Sequence, residues 1–146
     1  MTEEQMAKIQ WLNRAFHAEK AAKAWMAKLE RDRSLAERIS RTGNGTGGGQ
    51  GNSTEDALIR LSQTESETRE RLRELVDIRE EISTAIRTVD DPDMQAILVR
   101  HFLNYESFDR VADNMHYSKP TIMRKYKKAL EKMILNDTVK GARMVV

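Results

Sequence analysis

The sequence predicts an all-α protein with two parts: a long N-terminal antiparallel helical hairpin, similar to a coiled coil, and a C-terminal unit of three short helices. Apolar residues recur at steps of three and four along two long segments, which is the spacing of one helix face. Glycine and proline are scarce outside one short block, so little interrupts either segment. The chain has no cysteine, which excludes disulfides and thiolate metal sites.

The first helix is predicted over residues 3–40. Its apolar stripe runs from Trp11 to Leu29 through alanines and Trp25 at alternating steps of four and three. The segment "TGNGTGGGQGNST", residues 42–54, then contains six glycines, and most of its other residues are Ser, Thr and Asn. This composition predicts a flexible linker.

The second helix is predicted over residues 55–89. Its seam follows the heptad pattern, with polar interruptions at Glu65, Thr68 and Arg79. Residues 1–41 carry nine basic and six acidic side chains, whereas residues 42–89 carry six and nine. Similar lengths and opposite net charges favour antiparallel pairing, so residues 1–89 are predicted to form the hairpin.

Three shorter helices are predicted in residues 90–135, and residues 136–146 are predicted to be a flexible tail. Asp91 can cap the first of these helices and Pro92 suits its first turn. Serines precede the other two and can cap them. The predicted ranges are 92–103, 107–115 and 118–135.

The last two helices are separated by a very short turn, His116 and Tyr117. Val111 and Met115 form an apolar face on one helix, and the other helix offers Ile122 and Ala129. This is helix-turn-helix spacing, in which the second helix enters the major groove of DNA.

Positive charge is concentrated in that second helix. Residues 116–146 contain eight basic and two acidic side chains, an imbalance typical of a segment that binds a polyanion. Arg124 lies near the middle of the predicted outward face and is the best candidate to bond a base, whereas the two lysines that follow are expected to contact phosphate. The helix start is also expected to favour phosphate. The candidate DNA-binding residues are Ser118, Lys119, Thr121, Arg124, Lys127 and Lys128.

The segment "HFLNYESFDRVADNMHYSKPTIMRKYKKALEKM", residues 101–133, resembles region 4 of bacterial sigma-70-type factors, which binds the −35 promoter element. The whole layout is similar to that of small phage and prophage proteins with sigma-region-4-like ends, near the RinA and ArpU type of late-gene activators. The resemblance implies a sequence-specific regulator of transcription that binds double-stranded DNA in the cytoplasm of a bacterial host. RNA polymerase is a second candidate partner. Lys125 stands where this family usually has an apolar core residue, so either its aliphatic stem packs or the helix is rotated.

The hairpin is predicted to associate with a second copy of itself, because its heptad seam is longer than one intramolecular partner needs. A homodimer is therefore expected. The residues proposed for self-association are Trp11, Trp25, Leu72, Leu75, Ile82 and Ile86.

No pattern in the sequence predicts catalysis or a bound metal. The three histidines are scattered and lack the paired spacing of a metal site. An enzyme, a cofactor and a membrane span are not expected. Two alternatives to a regulator remain open. One is a DNA-packaging protein similar to a small terminase subunit, and the other is a coiled-coil adaptor whose basic helix binds RNA polymerase or another acidic partner.

Overall fold

A computed structural model describes residues 1–42 and 50–135 of the chain. All regular elements in these residues are helices, as predicted. These described helices lack an apolar stretch of the length that a membrane-spanning segment requires. The helices are α1 (Glu3–Leu12), α2 (Arg14–Thr42), α3 (Gln50–Ile86), α4 (Pro92–Leu98), α5 (Phe108–Met115) and α6 (Lys119–Lys132), and a π-helical turn, Val99–Leu103, follows α4.

The bounds of the first two predicted helices differ from the predictions. The predicted first helix is interrupted at Asn13, which separates α1 from α2. Residues 50–54, predicted as linker, form the start of α3. The rest of the predicted linker, apart from Thr42 in α2, lies outside the described residues, as does the predicted tail 136–146.

The described chain forms two compact units, one of residues 18–76 and one that combines residues 1–17 with residues from 77 onward. The two units therefore divide after residues 17 and 76, whereas the sequence predicted one boundary at residue 89. Residues 1–17 and 77–89 pack with the C-terminal helices, because Trp11, Leu12, Ile82 and Ile86 are buried in the same core.

The unit of residues 18–76 pairs α2 and α3 in antiparallel order. The buried Thr68 hydroxyl lies 3.2 Å from the Trp25 carbonyl, and the Thr64 hydroxyl donates to Asp32 Oδ2 at 2.7 Å. Lys28 donates to the same carboxylate at 2.7 Å. The bonds from Lys28 and then Thr64 hold the pKa of Asp32 below its usual value. Such polar groups at a helix seam fix the register of the pair.

The other unit is built around one apolar core. Ile97, Leu98, Val111, Ile122 and Leu130 are each fully buried, and α1 and the end of α3 contribute further side chains to the same cluster. Arg79, which interrupts the heptad seam, donates to the Leu103 carbonyl at 2.8 Å. Arg79 therefore supplies a hydrogen-bond donor to a backbone carbonyl at the end of the π-helical turn.

A buried lysine joins the first helix of the chain to the last. Lys8 Nζ lies 2.7 Å from the Leu130 carbonyl and 2.9 Å from the Met133 carbonyl, and the residue is 6% exposed. These carbonyls lie at the C-terminal end of α6, where the helix dipole favours a cation, and the Lys8 ammonium group bonds to them. Helix α1 is therefore an integral part of the unit that carries α6.

The turn between α5 and α6 depends on a left-handed residue. His116 has φ 62° and ψ 39°, and the next N–H, of Tyr117, bonds back to the Ala112 carbonyl at 3.1 Å. This is a common way to end a helix, but it usually employs glycine because a Cβ atom is disfavoured there.

Replacing His116 by glycine should stabilise the protein. The left-handed conformation costs a non-glycine residue roughly 1–2 kcal/mol, and part of that gain is lost because glycine makes the unfolded chain more flexible. We expect His116→Gly to raise the free energy of unfolding by about 0.5–1 kcal/mol in urea denaturation. His116→Ala keeps the Cβ atom and serves as the control; an equal gain in both variants would exclude backbone strain as the cause.

Candidate nucleic-acid interface

Helix α6 has an apolar face in the core and a basic face in solvent. Ile122, Ala129 and Leu130 are fully buried, as is Met133 just beyond the helix. Tyr126 is also buried, 4.7 Å from the Phe108 ring between centroids, and burial raises its pKa to about 12. This tyrosine therefore belongs to the core and not to the exposed face of α6.

The basic face is centred on Arg124. This residue is two positions from both Ile122 and Tyr126, so it points roughly 160° away from each at 3.6 residues per turn. Lys127 and Lys128 lie on either side of it one turn later, and all three side chains are exposed. The arrangement presents a guanidinium flanked by two ammonium groups to solvent.

The start of α6 is engaged in capping. The Ser118 hydroxyl accepts from the Thr121 N–H at 3.4 Å and donates to the Thr121 hydroxyl at 2.9 Å. Pro120 has no N–H to offer. The Thr121 N–H is thus engaged by the cap, and Ser118 and Thr121 have a structural role at the start of α6.

Lys119 is paired with an acidic residue of the preceding helix. Its Nζ lies 3.2 Å from Asp109 Oδ1, and both side chains are mostly exposed. A pair this exposed is worth little in water, so a phosphate can replace the carboxylate at small cost. Lys119 remains available as a phosphate contact at the edge of the basic face.

Lys125 is half-buried, and its ammonium group has two neighbours. Its Nζ lies 5.3 Å from the centre of the Tyr117 ring and 3.5 Å from Asp93 Oδ2. The Tyr117 hydroxyl donates to the same oxygen at 2.6 Å, and this bond holds the pKa of Asp93 below its usual value. The cluster ties the turn to the first turn of α4, which fixes the orientation of α6.

An acidic residue limits the basic face at the C-terminal end of α6. Glu131 is two turns beyond Arg124 on the same exposed side. Its Oε1 accepts from the buried Gln5 side chain of α1 at 3.4 Å, and Gln5 also donates to the Lys127 carbonyl. Because α1 holds a carboxylate there, a polyanion fits best over the part of α6 that runs from Lys119 to Lys128.

His101 supports the same unit from the π-helical turn. Its ring stacks on Phe108 with centroids 3.9 Å apart, and its Nδ1 lies 2.8 Å from the Glu106 carbonyl. Because a carbonyl can only accept, Nδ1 carries a proton in this bond. Burial lowers the pKa of His101, and the bond to Glu106 partly opposes that effect.

This lowered pKa makes stability depend on pH. The unfolded state, with a histidine pKa near 6.5, binds a proton more readily than the folded state does. The contribution is thus present above pH 6.5 and is lost as the pH falls from 6.5 towards the folded pKa. We expect thermal scans between pH 7.5 and 5 to show a falling melting temperature, and His101→Gln to flatten that dependence. If His17→Gln, at an exposed histidine, flattens the curve instead, the assignment to His101 is wrong.

The six residues proposed for self-association do not share one surface. Trp11, Ile82 and Ile86 are buried in the core of their own unit, with at most 5% exposure. Trp25 and Leu75 are half-buried, and Leu72 is 38% exposed. The heptad pattern predicted a free seam at Ile82 and Ile86, but these side chains and Trp11 are buried in one core with the C-terminal helices. The three buried side chains can contact a second copy only if that core opens.

The contribution of α1 to the unit that carries α6 was not predicted from the sequence. Gln5, Lys8, Leu12 and Ala15 follow one another at steps of three, four and three, and all are buried. A lysine in such a stripe is the signal that could have been used, since buried lysines require partners. Its partners are carbonyls more than 120 residues away, so no local pattern identifies them.

A family model described as a protein of unknown function (DUF1492) matches residues 39–134. The chain belongs to this family. The match includes all of α3 to α6, and therefore the whole basic face. No curated protein and no solved structure matches the chain.

Proposed function

We propose that this DUF1492 protein binds double-stranded DNA through α6 and regulates transcription of phage or prophage genes. The observation that supports it most is the exposed basic face of Arg124, Lys127 and Lys128 on a helix that follows a short turn. A helix so placed fits the major groove. The resemblance of residues 101–133 to sigma region 4 points to promoter DNA as the target.

Each basic residue has a role in this proposal. Arg124 lies at the centre of the face, where its planar guanidinium can bond a guanine with two hydrogen bonds. Lys127 and Lys128 neutralise phosphates on either side of the groove. Lys119 exchanges Asp109 for a phosphate at the edge.

The supporting contacts hold α6 rigidly for this role. The Tyr117–Asp93–Lys125 cluster fixes the turn, and Lys8 closes the far end of the helix. A recognition helix that is ordered before binding loses less conformational entropy in the complex. Residues 1–17 are therefore required for binding even though none is proposed to contact a base.

Selection of bound sequences from a pool of random duplex DNA tests the proposal. A sequence-specific regulator enriches one motif. Enrichment of duplex DNA without a motif would favour a packaging protein, and no enrichment would favour an adaptor that binds an acidic protein surface. Short single-stranded DNA of the same length is the control for charge alone.

A further inference from the structure

Helix α3 carries a second seam in the unit of residues 18–76. One side of the helix faces α2 through side chains that include the buried Thr64 and Thr68. The other seam is rotated by about a quarter turn from the first at 3.6 residues per turn and is separate from the contacts with α2. It consists of Leu58, Ser62, Glu65, Arg69, Leu72 and Val76, at alternating steps of four and three.

Apolar side chains at both ends of this second seam are open to solvent. Leu58 is 55% exposed, Leu72 is 38% exposed and Val76 is 64% exposed. Large aliphatic groups at heptad spacing on a solvent-facing helix are typical of a helix–helix contact with another chain. The spacing restricts the partner to a helix that follows the same repeat.

The seam is complementary to itself when reversed. In an antiparallel pair centred on residue 67, Leu58 meets Val76 of the second copy, Ser62 meets Leu72, and Glu65 meets Arg69. Every position thus finds a partner, and opposite charges meet at the centre. Within the described part of the chain, neither Glu65 nor Arg69 takes part in an ion pair of its own chain.

We propose that a second copy of this chain docks antiparallel on α3 along the seam Leu58–Val76. The two central Glu65–Arg69 pairs fix the direction and register, since charged residues within a seam oppose other alignments. Apolar contacts at both ends stabilise the complex. An unrelated apolar helix could cover the leucines, but it would leave both central charges without partners.

This interface replaces the one expected from the sequence. It uses Leu72 of the original set but not the buried Ile82 and Ile86, and it lies wholly within residues 18–76. It is therefore independent of the proposed DNA binding by α6. A failure of either proposal leaves the other intact.

Charge reversal tests the register in the full-length protein by analytical ultracentrifugation. We expect the parent to be a dimer at tens of micromolar. Glu65→Arg and Arg69→Glu should each weaken the dimer by at least tenfold, because like charges then meet at the centre, and the double variant should recover to within about threefold of the parent. Glu70→Arg, at an exposed position of α3 outside the seam, is the control and should dimerise like the parent.

Leu58→Ser combined with Val76→Ser provides a second test. Both side chains are exposed in the single chain, so the far-ultraviolet circular dichroism should be unchanged while the dimer dissociates. A monomeric parent at 100 micromolar would overturn the proposal, as would a charge-reversal pair that fails to recover or a Leu58/Val76 variant that remains dimeric.

Discussion

Replacing Lys8 by methionine should destabilise the protein by about 2–4 kcal/mol, since it removes a charged donor from buried carbonyls. The ammonium group lies 2.7 Å from the Leu130 carbonyl and 2.9 Å from that of Met133. Methionine retains most of the side-chain volume. The loss of stability therefore measures mainly the missing hydrogen bonds and the missing positive charge at the C-terminal end of α6. Urea denaturation followed by circular dichroism gives the change in the free energy of unfolding.

Lys23→Met is the matched control for Lys8→Met. Lys23 lies in α2, forms an i,i+4 pair with Glu19 and is 73% exposed at its side chain. Its replacement should change the free energy of unfolding by less than about 0.5 kcal/mol. Equal effects in both variants would mean that Lys8 does not close α6, and that α1 is not an essential part of this unit.

Replacing Arg124 by alanine should remove sequence discrimination without disturbing the fold. A bidentate contact between arginine and guanine is worth about 1–3 kcal/mol, so affinity for the selected site should fall by roughly 5- to 150-fold. Affinity for random duplex DNA should fall much less. Fluorescence anisotropy with the two duplexes measures both, and the melting temperature should be unchanged because the side chain is exposed.

Lys128→Ala is the control for the role of Arg124. It lies on the same exposed face, but it is assigned to a phosphate, so it should weaken both duplexes alike. Should Arg124→Ala also lower the two affinities equally, Arg124 contacts phosphate, and the base contact must be sought elsewhere on α6.

Local sequence patterns were sufficient to predict the helices and to assign which face of α6 is buried. Ile122 and Ala129 repeat at a helical step, and charge occupies the opposite side, so the buried and exposed faces could be assigned from sequence alone. The all-α class is confirmed.

The association of distant segments could not be predicted in the same way. Heptad spacing extends along α3 as far as Ile82 and Ile86, which are buried in one core with the C-terminal helices. Periodicity shows that a side chain is buried but does not identify its partner. Lys8 and Gln5 are similar cases, because what fixes them are backbone carbonyls on α6, and carbonyls leave no mark in the sequence.

The start of α6 shows a different limit of the sequence. Ser118 and Thr121 were identified as helix-start residues that favour phosphate, yet their hydroxyl groups bond to one another and to the backbone. The same residue types serve both purposes. Only the geometry distinguishes a cap that is satisfied within the chain from one that is open to a ligand.

The most direct test of DNA binding by α6 is the salt dependence of duplex binding by the parent and by the triple variant Arg124→Ala, Lys127→Ala, Lys128→Ala. Each neutralised phosphate contributes about −0.9 to the slope of log affinity against log salt. We expect a slope for the parent that is steeper than that of the triple variant by about 3 per chain, together with a large loss of affinity in the variant. Equal slopes and equal affinities would show that the exposed basic face of α6 does not contact DNA.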